Sequence, residues 1–379
     1  MNNLTKRNQN LDLLRTVAML FVVLLHFTCY GIMNYGNAGG RDGGLQQVAF
    51  TSSGWFDYVI SEILAIFSST GVNLFVLISG YFLINKKFNL GRLVKIWVIT
   101  VFYLFAVAIV LSSTTWVHIG LSDWINFLDP IRTGKYWFVR YYIELVLLTP
   151  FLALLAKSMS KKTYQCFLVV LSFLSLTFFK DIPFVNINGG RNGFSMMWFV
   201  YLFFVAAYLR LFNVHVHHKG KIAMLIVAVM LLQIILPSYM EYRGTGRFLY
   251  GGIIFYNGFC FFLSLVIFLY FKDRTYKYTR IERLMVQASP YTFGVYLIHT
   301  HPFIQTYLWG SDSVFADFGR MANGWLCIPI VLLSVIATFV ACILIDLVRV
   351  KLFDVARVNT ALDYITKHTI NFTNKYLII

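Results

Sequence analysis

Apolar residues gather along this chain into long blocks, each closed by a short polar or charged stretch. Ten such runs lie near residues 11–33, 59–84, 92–113, 139–156, 163–179, 195–212, 221–238, 248–271, 290–308 and 325–348. Each is long enough to form a helix across the ~30 Å hydrocarbon layer of a bilayer. Two runs carry polar interruptions: the fourth holds Glu144 and Pro150, and the ninth holds His299, His301 and Pro302. No internal repeat, low-complexity linker or soluble appendage separates the runs. The pattern therefore predicts one domain over residues 1–379.

The polar stretches between runs sort by charge. With the N-terminus placed inside, the cytoplasmic stretches carry 22 Lys and Arg and the outer ones carry 9, with Arg15 within the first run. That asymmetry follows the positive-inside rule. It predicts an all-α integral membrane protein, a single bundle of about ten transmembrane helices with both termini cytoplasmic.

Composition agrees, since 59% of residues are hydrophobic and only 13% charged. A soluble domain is nearer 45–50% apolar and about a quarter charged. The net charge of +16 would otherwise raise nucleic acid as a partner. Its concentration in alternate stretches assigns much of it to topology, so the expected partner is the lipid bilayer of a cell membrane. Cys29, Cys166, Cys260, Cys327 and Cys342 fall within apolar runs without metal-ligand spacing, and read as small buried hydrophobes. The first run follows Lys6 and Arg7 but lacks a short core with a small-residue cleavage site; it reads as a permanent span rather than a signal peptide.

Against this apolar background, ionisable residues inside the runs become the candidates for chemistry. The first run, LDLLRTVAMLFVVLLHFTCY, holds Arg15 and His26. Eleven residues make close to three helical turns, so both project from one face, roughly 16 Å apart along the axis. An arginine snorkelling to the headgroups also accounts for Arg15. In NLFVLISGYFL, Asn73, Ser79 and Gly80 read first as small or polar residues that let helices approach closely. Arg92 and Lys95 in GRLVKIW lie on neighbouring faces of a helix start and suit a phosphate, although positive-inside charge produces such pairs too.

GKYWFVRYYIELVLLTP opens with Tyr136 and Trp137 and carries Glu144, for which Arg140 at i−4 is the local partner. In SPYTFGVYLIHTHPF, His299 and His301 are two apart and face different ways, a poor metal pair. One of them bonding an incoming substrate is the better functional reading. The outer stretches NYGNAGGRDGG, NINGGRNG and YRGTGR suit either ordinary turns or a polar ligand such as a sugar. The chain has no G-x-S-x-G elbow, P-loop, H-E-x-x-H or dinucleotide glycine fingerprint.

Taken in order, LDLLRTVAMLFVVLLH, LFVLISGYFL, GRLVKIW, KYWF and FGVYLIHTHPF resemble the membrane-bound acyltransferase family 3. Its members include O-acetyltransferases of cell-surface polysaccharides, and the resemblance spans nearly the whole chain. It implies that acyl-CoA binds from the cytoplasm as donor substrate, with no permanently bound cofactor, and that the acyl group reaches a glycan beyond the membrane. On this resemblance His26 is the catalytic histidine and Arg15 its partner at the donor end. Tyr136 matches the family's tyrosine–tryptophan element, and His299 its late histidine.

Arg92 would be the first arginine of an R-x-x-R pair that holds CoA. The second position here is Lys95, a point charge rather than a fork. Trp137, Glu144 and Ser79 are the expected substrate-binding residues, and no metal is expected. Some relatives carry a following hydrolase-like domain; without one, transfer would finish within the membrane unit or with a separate partner, and a homo-oligomer is left open. A polysaccharide transporter or flippase is the alternative, against which stands the lack of a duplicated half or of paired Gly/Pro-broken helices.

Overall fold

The computed structural model describes residues 8–32, 54–113, 119–176, 195–242, 258–275, 277–309 and 324–376. Among these the structure is helical, without a strand. The helices are α1 (Gln9–His26), α2 (Gly54–Leu83), α3 (Leu90–Ser113), α4 (Leu121–Phe127), α5 (Pro130–Thr133), α6 (Trp137–Ser158), α7 (Lys161–Ser175) and α8 (Met196–Leu211). They continue with α9 (Lys219–Tyr242), α10 (Gly258–Lys272), α11 (Arg280–Ala288), α12 (Thr292–His299), α13 (Pro302–Trp309), α14 (Gly324–Val355) and α15 (Val358–Tyr376). The glycine-rich stretches NYGNAGGRDGG, NINGGRNG and, beyond its Tyr242, YRGTGR fall outside the described residues.

Every apolar run read from the sequence contains helix. Among the described residues, five segments are long and apolar enough to cross a membrane: Gln9–Cys29, Ile63–Leu83, Leu90–Ser113, Trp137–Ser158 and Ile328–Val355. Helices α8 and α10 are apolar but shorter. The ninth run departs from a single span. It divides into α12 and α13 at Thr300 and His301, because Pro302 lacks an N–H and pushes the residue before it out of helical geometry. The His301 ring then caps the new helix, its Nδ1 accepting the Phe303 N–H at 3.3 Å.

Helix α1 is the centre of the bundle, packing against α2, α10, α11, α12 and α14. Asn8 starts it by accepting the Leu11 N–H at 3.2 Å, which satisfies one of the orphan donors of a helix N-terminus. Close approach to α2 depends on Gly71, where a Cβ would sit 2.7 Å from the Ala18 carbonyl oxygen. Gly80 does the same for α2 against α8, with Ala206 and Phe203 within 3.1 Å of the Cβ position. Small residues in LISGYFL thus act in helix packing, as their size suggested. Beside Gly80, the Ser79 hydroxyl returns to the Phe75 carbonyl of its own helix at 2.8 Å.

Two polar groups deep in the bundle were not singled out in the sequence. Asp346 of α14 is wholly buried, and Arg349 grips it through two hydrogen bonds of 2.9 Å. The Tyr103 hydroxyl donates to the same carboxylate at 2.6 Å. A carboxylate at that depth needs such neutralisation. Arg349, the first basic residue after the tenth apolar run, is a helical residue whose guanidinium is taken up by this pair. Gly294 of α12 lies directly against the carboxylate, since a Cβ there would come within 2.2 Å of Asp346 Cγ. The contact fixes how deep α12 sits against α14.

Candidate active site

Helices α1 and α12 run side by side in the same direction and touch through polar side chains at both ends. At one end His26 and His299 meet, each the last residue of its helix. His26 Nδ1 and His299 Nε2 are 2.9 Å apart, with ring centroids at 5.0 Å and planes inclined by 49°. His299 Nδ1 lies 2.6 Å from the Val295 carbonyl oxygen, which can only accept. Nδ1 of His299 therefore carries the hydrogen, and its Nε2 presents a lone pair. His26 Nδ1–H donates to that lone pair, which puts the basic lone pair of His26 on Nε2. A single carbonyl thus sets the tautomer of two buried rings in succession. Beyond His26 the helix widens into a π-helical turn over Phe27–Ile32, a feature that often marks functional sites.

Tyr136 supports the same end. Its ring is buried and its hydroxyl donates to the Leu297 carbonyl at 2.7 Å, one of the carbonyls a helix C-terminus leaves without an intrahelical partner. Tyr136 so holds the last turn of α12, and with it His299. Trp137 stands in an aromatic group with Phe138, Tyr141 and Phe199. Glu144 pairs with Arg140 at 3.0 Å, the partner expected from their spacing. The two late histidines do face different ways: His299 meets His26, whereas His301 Nε2 lies 3.4 Å from the Leu104 carbonyl and its Nδ1 caps α13.

At the other end Arg15 donates to Asp12 Oδ1 at 2.8 Å and to the Ser289 hydroxyl at 3.2 Å. Ser289 in turn donates to Asp12 at 3.3 Å. Thr16 donates to the Met285 carbonyl at 2.7 Å, so α1 is stitched to α11 and to the short 3₁₀ turn (Ser289–Tyr291) that opens α12. From Arg15 to His26 the axis rises roughly 16 Å, and from Ser289 to His299 the α12 side rises about the same. That equality is why both pairs meet. The Arg15 side chain remains about one-third exposed, and Asp12 is buried beneath it.

More cations stand near Arg15. Arg92 and Lys95 project exposed from the start of α3, and Lys86 leans over the Phe82 ring at 5.4 Å. Partial burial first, and then the charges of Arg92 and Arg15, hold the Lys86 amine below the ordinary lysine range. Lys86 therefore feels the charges of both Arg92 and Arg15. Nearby, Arg274 pairs with Glu282 at 2.8 Å and stacks on the Tyr278 ring. Tyr278 also bonds Asn10 of α1. The Arg274 hydrogen bond, with the Thr279 amide behind it, lowers the Glu282 carboxyl to about 2. Among the described residues, no three His, Cys, Asp or Glu side chains gather as metal ligands.

A family model described as an acyltransferase domain matches residues 8–347, from the cap of α1 to the residue after Asp346. The chain belongs to acyltransferase family 3. As a member of acyltransferase family 3 it is a membrane acyltransferase, and the matched span contains both ends of the α1–α12 pair. Searches of curated proteins and of solved structures find no match to this chain. The sequence missed Asp12, Ser289 and Asp346 as parts of this acyltransferase framework. Asp12 and Asp346 had a usable signal, a carboxylate within an apolar run; Ser289 had none, because its role depends on a neighbour 274 residues away.

Proposed function

We propose that this acyltransferase moves an acyl group, acetyl by default, from cytoplasmic acyl-CoA to a hydroxyl of a cell-surface or exported glycan. The observation that carries the reading is the relay from the Val295 carbonyl through His299 to His26, which orients a neutral imidazole with its basic lone pair on Nε2. In this reading His26 Nε2 takes the proton of the acceptor hydroxyl as its oxygen attacks the thioester carbonyl. A C–O bond forms, the C–S bond breaks, and the departing CoA sulfur takes the proton back from His26. Because His26 Nδ1–H is donated to His299 before and after, the ring keeps its orientation while its other nitrogen gains and loses a proton.

Arg15, Arg92 and Lys95, with Lys86 beside them, receive the phosphates of the donor from the cytoplasmic side. The distance from Arg15 to His26, roughly 16 Å along the axis, is comparable to an extended pantetheine arm. Donor phosphates at one end and thioester at the other therefore fit a single extended molecule. Tyr136 acts by holding His299, and Trp137 offers its aromatic face toward a sugar. Glu144, paired with Arg140, and Ser79, bonded to the Phe75 carbonyl, are the other groups assigned to the glycan.

The test uses purified protein in lipid bilayers with radiolabelled acetyl-CoA and candidate glycans. Label should reach glycan with the wild type and not with His26→Ala of equal thermal stability. Undiminished transfer by His26→Ala would remove His26 from the chemistry. Intact acetyl-CoA alongside glycan movement across the bilayer would remove the acyl-transfer reading altogether.

A further inference from the structure

Helix α15 lies beyond residue 347, where the family match ends, yet it is packed into the bundle at the point where the donor cations begin. We propose that α15 is a positioning element of the donor site, holding the first turn of α3 so that Arg92 and Lys95 are presented to the donor's phosphates. The proposal rests on the acyl-CoA reading above.

The chain reverses sharply after α14. Arg357 takes a left-handed conformation, φ +55°, and α15 folds back against α3 and α14. Leu362, Thr366 and Thr369, spaced four and three apart, form one stripe of the helix. Leu362 is buried, and the two threonines meet the start of α3. The contact is backbone-close. A Cβ on Gly91 would sit 2.4 Å from Thr366 Cα and 2.5 Å from its Oγ1, so only glycine admits α15 here. The Gly91 amide is shared between Asn89 Oδ1 at 2.8 Å and the Thr369 hydroxyl at 3.2 Å. The α3 cap is thus completed by a residue of α15.

Arg92 is the next residue after Gly91. Lys95, four positions on, lies about 40° from Gly91 around the helix. The direction in which both cations project is therefore tied to the α15 contact. Lys86 and Arg15 extend the same cationic group toward α1. Nothing in this contact reaches His26 or His299, so a loosened α15 should weaken the grip on phosphate and leave the chemistry alone.

That separation is testable with full-length protein in lipid bilayers and two donors, acetyl-CoA and acetyl-pantetheine, the second having no phosphates. Thr369→Ala removes the hydroxyl that accepts the Gly91 amide and donates to Asn89 Oδ1, and should raise the KM for acetyl-CoA about fivefold, with kcat and turnover of acetyl-pantetheine unchanged. Thr369→Ser, which keeps the hydroxyl, should restore the wild-type KM. Gly91→Ala, which forces the two backbones apart, should raise it at least about tenfold. Wild-type KM in both Thr369→Ala and Gly91→Ala would overturn the role of α15 while leaving the donor reading intact. So would an equal loss with both donors, which marks a purely structural contact. A wild type that consumes no acetyl-CoA, or that uses both donors with the same KM, would overturn the phosphate reading and the role of α15 with it.

Discussion

The α1–α12 pair is joined at one end by two imidazole rings and at the other by a guanidinium, a carboxylate and a hydroxyl. Both junctions are hydrogen-bonded and both tie the same two helices, yet they are built for different tasks. At the histidine end the rings are nearly inaccessible, and their hydrogens are directed in sequence from one backbone carbonyl. Such an arrangement fixes where a proton will be accepted. At the arginine end the cation is partly open, a buried carboxylate anchors it, and Lys86 stands within electrostatic reach. That arrangement attracts an anion without deciding any proton transfer. Asp346 and Gly294, between the two, fix how deep α12 sits, so that one rigid helix serves both ends.

If the ends are separable, substitutions should divide cleanly between turnover and donor affinity. His26→Ala should have the largest effect, lowering kcat about 10³-fold with the KM for acyl-CoA unchanged, measured by label transfer to glycan. His299→Ala should follow with a loss of about 10²-fold in kcat, because the His26 ring loses the acceptor that sets its tautomer. His299→Gln should recover part of that loss, since its amide oxygen can accept the His26 Nδ1–H. A rise in donor KM matching the kcat loss in either variant would mean that the histidine end also holds the donor, and the division would fail.

The two ends also differ in how far the sequence disclosed them. Arg15 and His26 stand out because each is costly in an apolar run, and the helical period alone sets their spacing and shared face. Spacing alone left the choice between His299 and His301 open, and only the family resemblance pointed to His299. Both sit beside Pro302, and only the break there sends one ring to α1 and the other to Leu104 and the cap of α13. The Arg140–Glu144 pair was legible because it is local, four residues on one helix. Asp346 with Arg349 was not, because Arg349 follows an apolar run and reads as a loop cation until Tyr103 and Gly294 close around its partner. Helical character was readable from the blocks of apolar residues. The broken ninth run and the backbone-close contact of Gly91 with Thr366 required the packed chain.

The arginine end gives the next effect in size. Arg15→Ala removes a charge-assisted contact and should raise the KM for acyl-CoA about tenfold, with kcat at saturating donor near wild type. Arg15→Lys should recover only part, because a point charge cannot keep both Asp12 and an incoming phosphate in the guanidinium geometry. A kcat loss as large as that of His26→Ala would show that Arg15 acts on the thioester rather than on the phosphates.

The smallest effect should come from Glu282, which supports the arginine end through Arg274 and Tyr278 without approaching either reacting group. Its folded carboxyl titrates at about 2, below the ordinary value of 4.5, so the unfolded chain binds the proton more readily. The pair therefore adds stability above pH 4.5, and that contribution disappears as pH falls through about 2. The Glu282 side chain is partly exposed, and solvent screening keeps the contribution small. Glu282→Gln should melt slightly below wild type at pH 7, with a gap that stays constant down to pH 4.5 and closes toward pH 2. The kcat measured at pH 7 should be unchanged, since the histidine end does not depend on this pair. A gap that persists at pH 2 would assign the loss to side-chain packing in α11 instead of to the charge on Glu282.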